Sequence, residues 1–195
     1  MQGGNLMMTS QKLDRRKKYT QMVLKQSLMD LLKEKQMSTI TVKEICALAD
    51  VNRSTFYAHY TNHFDLLAQI ENEFIDDMTM YLQSYNFEGG EAALQISEKI
   101  IAYFGSKFEE CQTLLSDYSG SSFEKKVREV AQTYMVTNWM EISHMDEDIL
   151  EYASAFIVSG SIEMMKVWLQ NDMDKTPKEM AAIITNMVNK GVGSY

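Results

Sequence analysis

The chain has 195 residues, of which 45% are apolar, 24% are charged and 1 is proline. That balance excludes a disordered polymer and leaves long helices unobstructed. Asp and Glu outnumber Lys and Arg by 27 to 19, a net charge of −8, which taken as an average argues against a phosphate-rich partner.

Residues 1–13 open with Met1-Gln-Gly-Gly-Asn5, polar and Gly-rich, and are expected to form a flexible arm. From about Asp14 to Lys35, apolar residues recur at Met22, Val23, Leu28, Met29, Leu31 and Leu32, a stripe on a helix otherwise rich in Lys, Gln and Arg. Thr41-Val-Lys-Glu44 carries a capping-box pattern and opens a two-turn helix ending near Leu48. Asn52 is placed to cap a second short helix through about His59. Asn62, with Asp65 three residues on, is placed to cap a longer helix running through Leu66, Leu67, Ile70, Phe74, Met78 and Tyr81 or Leu82. Asn86-Phe-Glu-Gly-Gly90 then breaks the pattern. Further helices are expected at about 91–108, 111–117, 122–142, 147–170 and 177–190. The last starts at Thr176-Pro-Lys-Glu179, with a Thr cap, Pro at the first helical position and Glu at the third. No strand pattern or internal repeat stands out.

Cys46 and Cys111 lie far apart and form neither a disulfide framework nor a zinc module, which fits a reducing compartment. No segment approaches the roughly 20 apolar residues of a membrane span, and residues 1–18 carry no apolar leader, so the expected location is the cytoplasm.

The charge is unevenly distributed. Residues 1–61 hold 10 Lys+Arg against 5 Asp+Glu, a net of +5, while residues 62–195 hold 9 against 22, a net of −13. The basic part includes Arg15-Arg-Lys-Lys18, Lys25, Lys33, Lys35, Lys43 and Arg53, an asymmetry that points to nucleic acid. The two short helices expected at 41–48 and 52–59 need a third to bury them, and the 14–35 stripe supplies it. That is the arrangement which sets a second helix into the major groove. Val42, Ile45, Cys46, Ala49, Val51 and Phe56 sit where such a unit needs inward apolar groups, and Asp50 falls at the turn, where it tolerates a left-handed backbone better than most residues.

The stretch Ile40-Thr-Val-Lys-Glu-Ile-Cys-Ala-Leu-Ala-Asp-Val-Asn-Arg-Ser-Thr-Phe-Tyr-Ala-His-Tyr60, followed by Thr61-Asn-His-Phe-Asp-Leu-Leu67, resembles the TetR family of bacterial transcriptional regulators over about residues 14–74. Two departures stand out: Ser54 replaces a common Gly, and His63 replaces a common Lys, so that a neutral imidazole would offer phosphate less attraction. The resemblance implies an all-α fold, with a three-helix helix-turn-helix DNA-binding head at 14–74 and a larger helical ligand-sensing and dimerisation domain at 75–195. Together with side-chain chemistry it assigns base contacts to Asn52, suited to adenine, and Arg53, suited to guanine. Ser54, Thr55, Tyr57, His59 and His63, with Thr41 and Lys43 on the preceding helix, are candidate phosphate contacts, whereas Phe56 and Tyr60 are expected in the core.

For the acidic remainder the resemblance implies a homodimer built on the last two helices, with Phe156, Gly160, Met164, Trp168, Met180, Ile183, Ile184 and Met187 as candidate interface residues. The helix at 147–170 is apolar nearly all round, so it is expected to be covered on two sides. Met78, Tyr81, Tyr85, Phe104, Phe108, Tyr134, Met135 and Trp139 are candidate lining for a small apolar or cationic effector. The expected function is repression from a near-palindromic double-stranded DNA operator, relieved by that ligand; the alternative is a regulator controlled by a protein partner or coactivator with no small-molecule pocket. No cofactor, metal or catalytic residue is expected. His59 and His63 have HxxxH spacing, but Thr61-Asn62 between them is a helix-breaking start signal, and no phosphate loop or nucleophile motif occurs.

Overall fold

The computed structural model describes the backbone at residues 3–85, 92–120, 122–140 and 147–192, and within these the side chains other than at 3–14, 92–93, 134–140, 147–148, 150, 189 and 191–192. All regular structure there is helical: α1 (Gly3–Leu32), a 3-10 turn (Met37–Thr39), α2 (Val42–Leu48), α3 (Arg53–Tyr57), α4 (His63–Gln83), α5 (Ala92–Ser106), α6 (Phe108–Leu114), α7 (Ser122–Met140), α8 (Glu147–Gln170) and α9 (Pro177–Val192). The chain forms two compact units, residues 1–72 and 73–195.

In the first unit α1 packs on α2 and α2 on α3. Leu24, Leu28 and Leu32, four residues apart on α1, are fully buried together with Ile45 and Phe56, while Met37, Ile40 and Cys46 are nearly so. Two expectations are corrected. The helix begins at Gly3, so residues 3–13, expected as an arm, continue α1. Met22 is exposed; Leu24 takes its place, because the spacing of four selects Leu24, Leu28 and Leu32 as one face. The α2–α3 turn needs a left-handed residue, and Asp50 supplies it at φ 52°. The Val51 N–H reaches back to the Cys46 carbonyl at 3.0 Å and closes α2 in a Schellman motif.

In the second unit α5 packs on α9, and α8 touches α6, α7 and α9. The α5–α6 break falls at Lys107, so Phe108 begins α6 instead of ending α5. Gly105 lies against the Trp168 indole; a Cβ there would come 3.2 Å from Trp168 Cη2 and 3.5 Å from Met173 Sδ. The indole is fixed from its other end, where Nε1 donates to the Lys175 carbonyl at 2.9 Å. A second Schellman motif closes α8, with Asp172 at φ 51° and the Met173 N–H on the Trp168 carbonyl at 2.9 Å. Thr176 and Glu179 form the expected reciprocal cap of α9: the carboxylate accepts from the Thr176 N–H at 2.8 Å, and the Thr176 hydroxyl accepts from the Glu179 N–H at 3.3 Å.

Candidate nucleic-acid interface

Thr41 and Glu44 cap α2 reciprocally, with Thr41 Oγ1 accepting from the Glu44 N–H at 3.3 Å and the Glu44 carboxylate accepting from the Thr41 N–H at 2.9 Å. Lys35 Nζ lies 2.6 Å from the other carboxylate oxygen. The hydrogen bonds from Lys35 and then Thr41 favour the ionised form and hold the Glu44 carboxyl at about 2. The cap thus fixes the start of α2, where Thr41 and Lys43 are both exposed.

α3 is five residues long and held from one side. Phe56 and Tyr60 are buried, as expected, and the Phe56 ring meets Tyr57 at 5.5 Å and Tyr60 at 5.6 Å between centroids. With those rings inward, Asn52, Arg53, Ser54 and Tyr57 are left exposed together. Asn52 occupies the N-cap position with an extended backbone, but its side chain makes no capping hydrogen bond. The expected capping role is therefore corrected, and the amide is not engaged in closing α3. Thr55 is half-buried, as is His59, whose Nδ1 is buried with no hydrogen-bond partner among the described residues.

The start of α4 is fixed by two bonds in opposite directions. Asn62 Oδ1 accepts from the Asp65 N–H at 2.9 Å, and the Asp65 carboxylate accepts from the Thr61 N–H at 2.8 Å. His63 is half-buried, 4.2 Å from the Phe64 ring, with Nε2 buried and without a hydrogen-bond partner among the described residues. Burial pushes its pKa below the ordinary value, so the imidazole is neutral at physiological pH. His59 lies in the turn after α3 whereas His63 begins α4, and no group of three or more His, Cys, Asp or Glu suited to a metal occurs among the described residues.

The second unit shows a different surface. On α8, Ile149, Tyr152, Phe156, Gly160, Glu163 and Val167 follow one another at spacings of three and four residues and are all exposed, Tyr152 at 79% and Phe156 at 71%. A Cβ at Gly160 would meet nothing within 4 Å among the described residues. Ile157, Val158, Ile162, Met165, Trp168 and Leu169 are buried, so the apolar helix has its inner side covered and its outer side bare. Of the candidate interface residues, Trp168, Met180 and Ile184 are corrected to core, because the protomer itself already buries them. Phe156, Gly160 and Met187 are exposed, and Met164 and Ile183 half-buried. Tyr152 and Val167 lie on the same exposed face, at helical spacing from Phe156.

Among the candidate ligand residues, Met78 and Phe104 are buried, Tyr81 and Phe108 half-buried, and Tyr85 exposed. Phe74 joins Phe104 at 5.6 Å to Tyr103 at 5.3 Å, and Tyr81 joins Tyr103 at 5.3 Å to Tyr85 at 5.2 Å. The side chains of Tyr134, Met135 and Trp139 lie outside the described residues.

A capped short helix, a left-handed turn and a second short helix with a polar outer face define a helix-turn-helix protein of the transcriptional-regulator class. A family model described as the transcriptional regulator C-terminal region, of TetR type, matches residues 91–190. The chain belongs to the TetR family of transcriptional regulators, whose members bind DNA and typically dimerise. Comparison with curated proteins gives no match. Solved structures show the same fold. A TetR transcriptional regulator from Streptococcus agalactiae is 24% identical with a TM-score of 0.72, over 92% of this chain and 98% of that one. NalD of Pseudomonas aeruginosa, described as the secondary repressor of the MexAB-OprM multidrug efflux pump, is 14% identical with a TM-score of 0.63, over 90% and 97%. The dihydroxyacetone kinase operon activator DhaS is 14% identical with a TM-score of 0.58, over 90% and 97%. No helix among the described residues is long and apolar enough to cross a membrane.

Proposed function

We propose that the protein is a homodimeric repressor of the cytoplasm that leaves a near-palindromic operator when a small ligand binds its C-terminal part. What carries this is the outward face of α3, where Asn52, Arg53, Ser54 and Tyr57 are exposed on a helix whose inner face is anchored by Phe56. Arg53 matches guanine O6 and N7, and Asn52 matches adenine N6 and N7. Ser54, Thr55, Tyr57 and His59, with Thr41 and Lys43 at the start of α2 and His63 at the start of α4, position the phosphates, the neutral His63 as a hydrogen-bond partner only. The DNA-binding part is residues 14–74 and the sensing and dimerising part 75–195.

The bare side of α8 supports the dimer, because an apolar stripe of this kind is relieved by pairing with its symmetry mate. A two-fold axis sets two recognition helices about 34–36 Å apart, or a multiple, and makes the operator a near-palindrome. The ligand acts by population shift, biasing α4 and through it the separation of the two α3 helices. Moving the equilibrium from 99:1 to 1:99 requires it to prefer the released state about 10⁴-fold. Repression follows if the bound dimer covers a promoter; NalD is described as a repressor and DhaS as an activator, so a promoter fusion in cells with and without the protein decides the sign.

Sedimentation mass combined with DNA selection from random duplexes over a salt series tests the proposal. The expected result is a dimer that selects a two-fold-symmetric site, with log affinity falling linearly with log salt. A monomer that binds duplexes without preference or salt dependence would overturn it.

A further inference from the structure

The second unit carries a cation held by a ring instead of a carboxylate. The ladder Phe74, Tyr103, Tyr81, Tyr85 runs from core to surface, and its outermost ring, Tyr85, is 37% exposed. Lys99 Nζ lies 4.3 Å from the centroid of that ring. Lys99 is half-buried and forms no ion pair among the described residues. The register explains the encounter: Asp77, Tyr81 and Tyr85 follow at four-residue spacing along and just past α4, and Lys99 and Tyr103 follow at the same spacing on α5.

Building on the ligand-released reading above, we propose that the outer face of Tyr85, backed by Tyr81, recognises an organic ammonium ion, which displaces the ammonium of Lys99. Lys99 is a resident stand-in that marks the chemistry of the site. Its ammonium is compact and strongly hydrated on a flexible stem, so it returns to solvent at little cost. A quaternary ammonium is weakly hydrated and brings apolar surface to lay on the Tyr85 ring, which favours the exchange. The ring face of Tyr85 receives the cation. Hydrogen bonding with Tyr85 pushes the Tyr81 hydroxyl up to about 12, and burial, with Asp77 adding to it, pushes Tyr103 up to about 12. The net charge of −13 over residues 62–195 further favours a cation over an anion.

The test titrates the full-length protein with benzyltrimethylammonium by calorimetry, with the tyrosine NMR signals as a second readout. Saturable binding of one cation per protomer that shifts the Tyr85 signals is expected. Lys99→Met should bind about three- to tenfold tighter, because the resident competitor is gone, Tyr85→Leu about tenfold weaker or more, and Tyr85→Phe within about twofold of the parent. Circular dichroism and unfolding midpoints matching the parent make these affinities comparable. Absence of saturation, a weaker Lys99→Met or an unaffected Tyr85→Leu would overturn the site. Operator release by some other compound, with no benzyltrimethylammonium binding, overturns this site and leaves the ligand-released function standing. Benzyltrimethylammonium bound at Tyr85 with unchanged operator affinity supports the site and removes its regulatory role.

Discussion

Truncating Phe156 to alanine separates interface from core on α8. Fully burying a Phe side chain contributes about 1.5–3 kcal/mol. Because 71% of Phe156 is still in water on the protomer, about 1–2 kcal/mol of that is left for a partner to capture. A two-fold interface counts each substitution twice, so Phe156→Ala should cost about 2–4 kcal/mol of dimerisation, roughly a 30- to 1000-fold weaker dissociation constant. Sedimentation velocity across a dilution series reads that constant directly, and the urea midpoint of the diluted protomer should barely move. Ile184→Ala is the contrast. That side chain is buried in the protomer, so its loss should cost about 2–5 kcal/mol of folding stability. A Phe156→Ala protein that dimerises like the parent, or whose dimer weakens only in step with its urea midpoint, refutes the assignment of this face.

Arg53→Ala should weaken operator binding by about 1–3 kcal/mol and narrow the gap between operator and scrambled duplex; equal losses on both would make Arg53 a phosphate contact. His63→Lys replaces a neutral imidazole with a cation, so operator affinity should rise and the slope of log affinity against log salt should steepen by about 1. An unchanged slope would place position 63 away from the phosphates. The Glu44 carboxyl sits at about 2 in the folded chain against an ordinary 4.5, so its ionised form contributes stability above pH 4.5 that is lost as pH falls toward 2. Glu44→Gln should flatten the melting-temperature profile across that window, and superimposable profiles would contradict the linkage. Gly105→Ala gains about 1 kcal/mol of helix propensity at most, but sets a Cβ 3.2 Å from an indole held at its far end by the Nε1 hydrogen bond, an overpacking of about 1–3 kcal/mol. The net expectation is a lower urea midpoint; a higher one would mean that Trp168 yields.

The head was legible because its signals are local. Thr41 and Glu44 are three residues apart, and Asp50 stands where the turn needs a left-handed residue, so both can be read without knowing what packs on them. Asp172 closes α8 in the same way, but it lies among Asn171, Asp172 and Asp174, any of which suits such a turn, and the pattern alone does not choose. The C-terminal helices show the opposite limit. α8 is apolar on nearly every side, which announces two covered faces without saying which is inward, and Trp168 lies on the inward one. Met22 against Leu24 is the same ambiguity on a smaller scale. The tyrosine ladder depends on α4 meeting α5 in one register, and no spacing within either helix reveals that Lys99 ends above Tyr85.

The shortness of α3 has a consequence for regulation. Five residues fall far below the about 12–15 at which an isolated helix persists in water, so the recognition helix exists only while the head beneath it is folded. Apparent affinity for DNA is the intrinsic affinity scaled by the fraction of heads in that state. Leu24 and Leu28 make no contact with solvent, let alone with a base, yet loosening them would lower operator occupancy as surely as removing Arg53. Such losses would grow with temperature and leave base preference intact, so that heat sensitivity without altered specificity becomes the signature of damage inside the head.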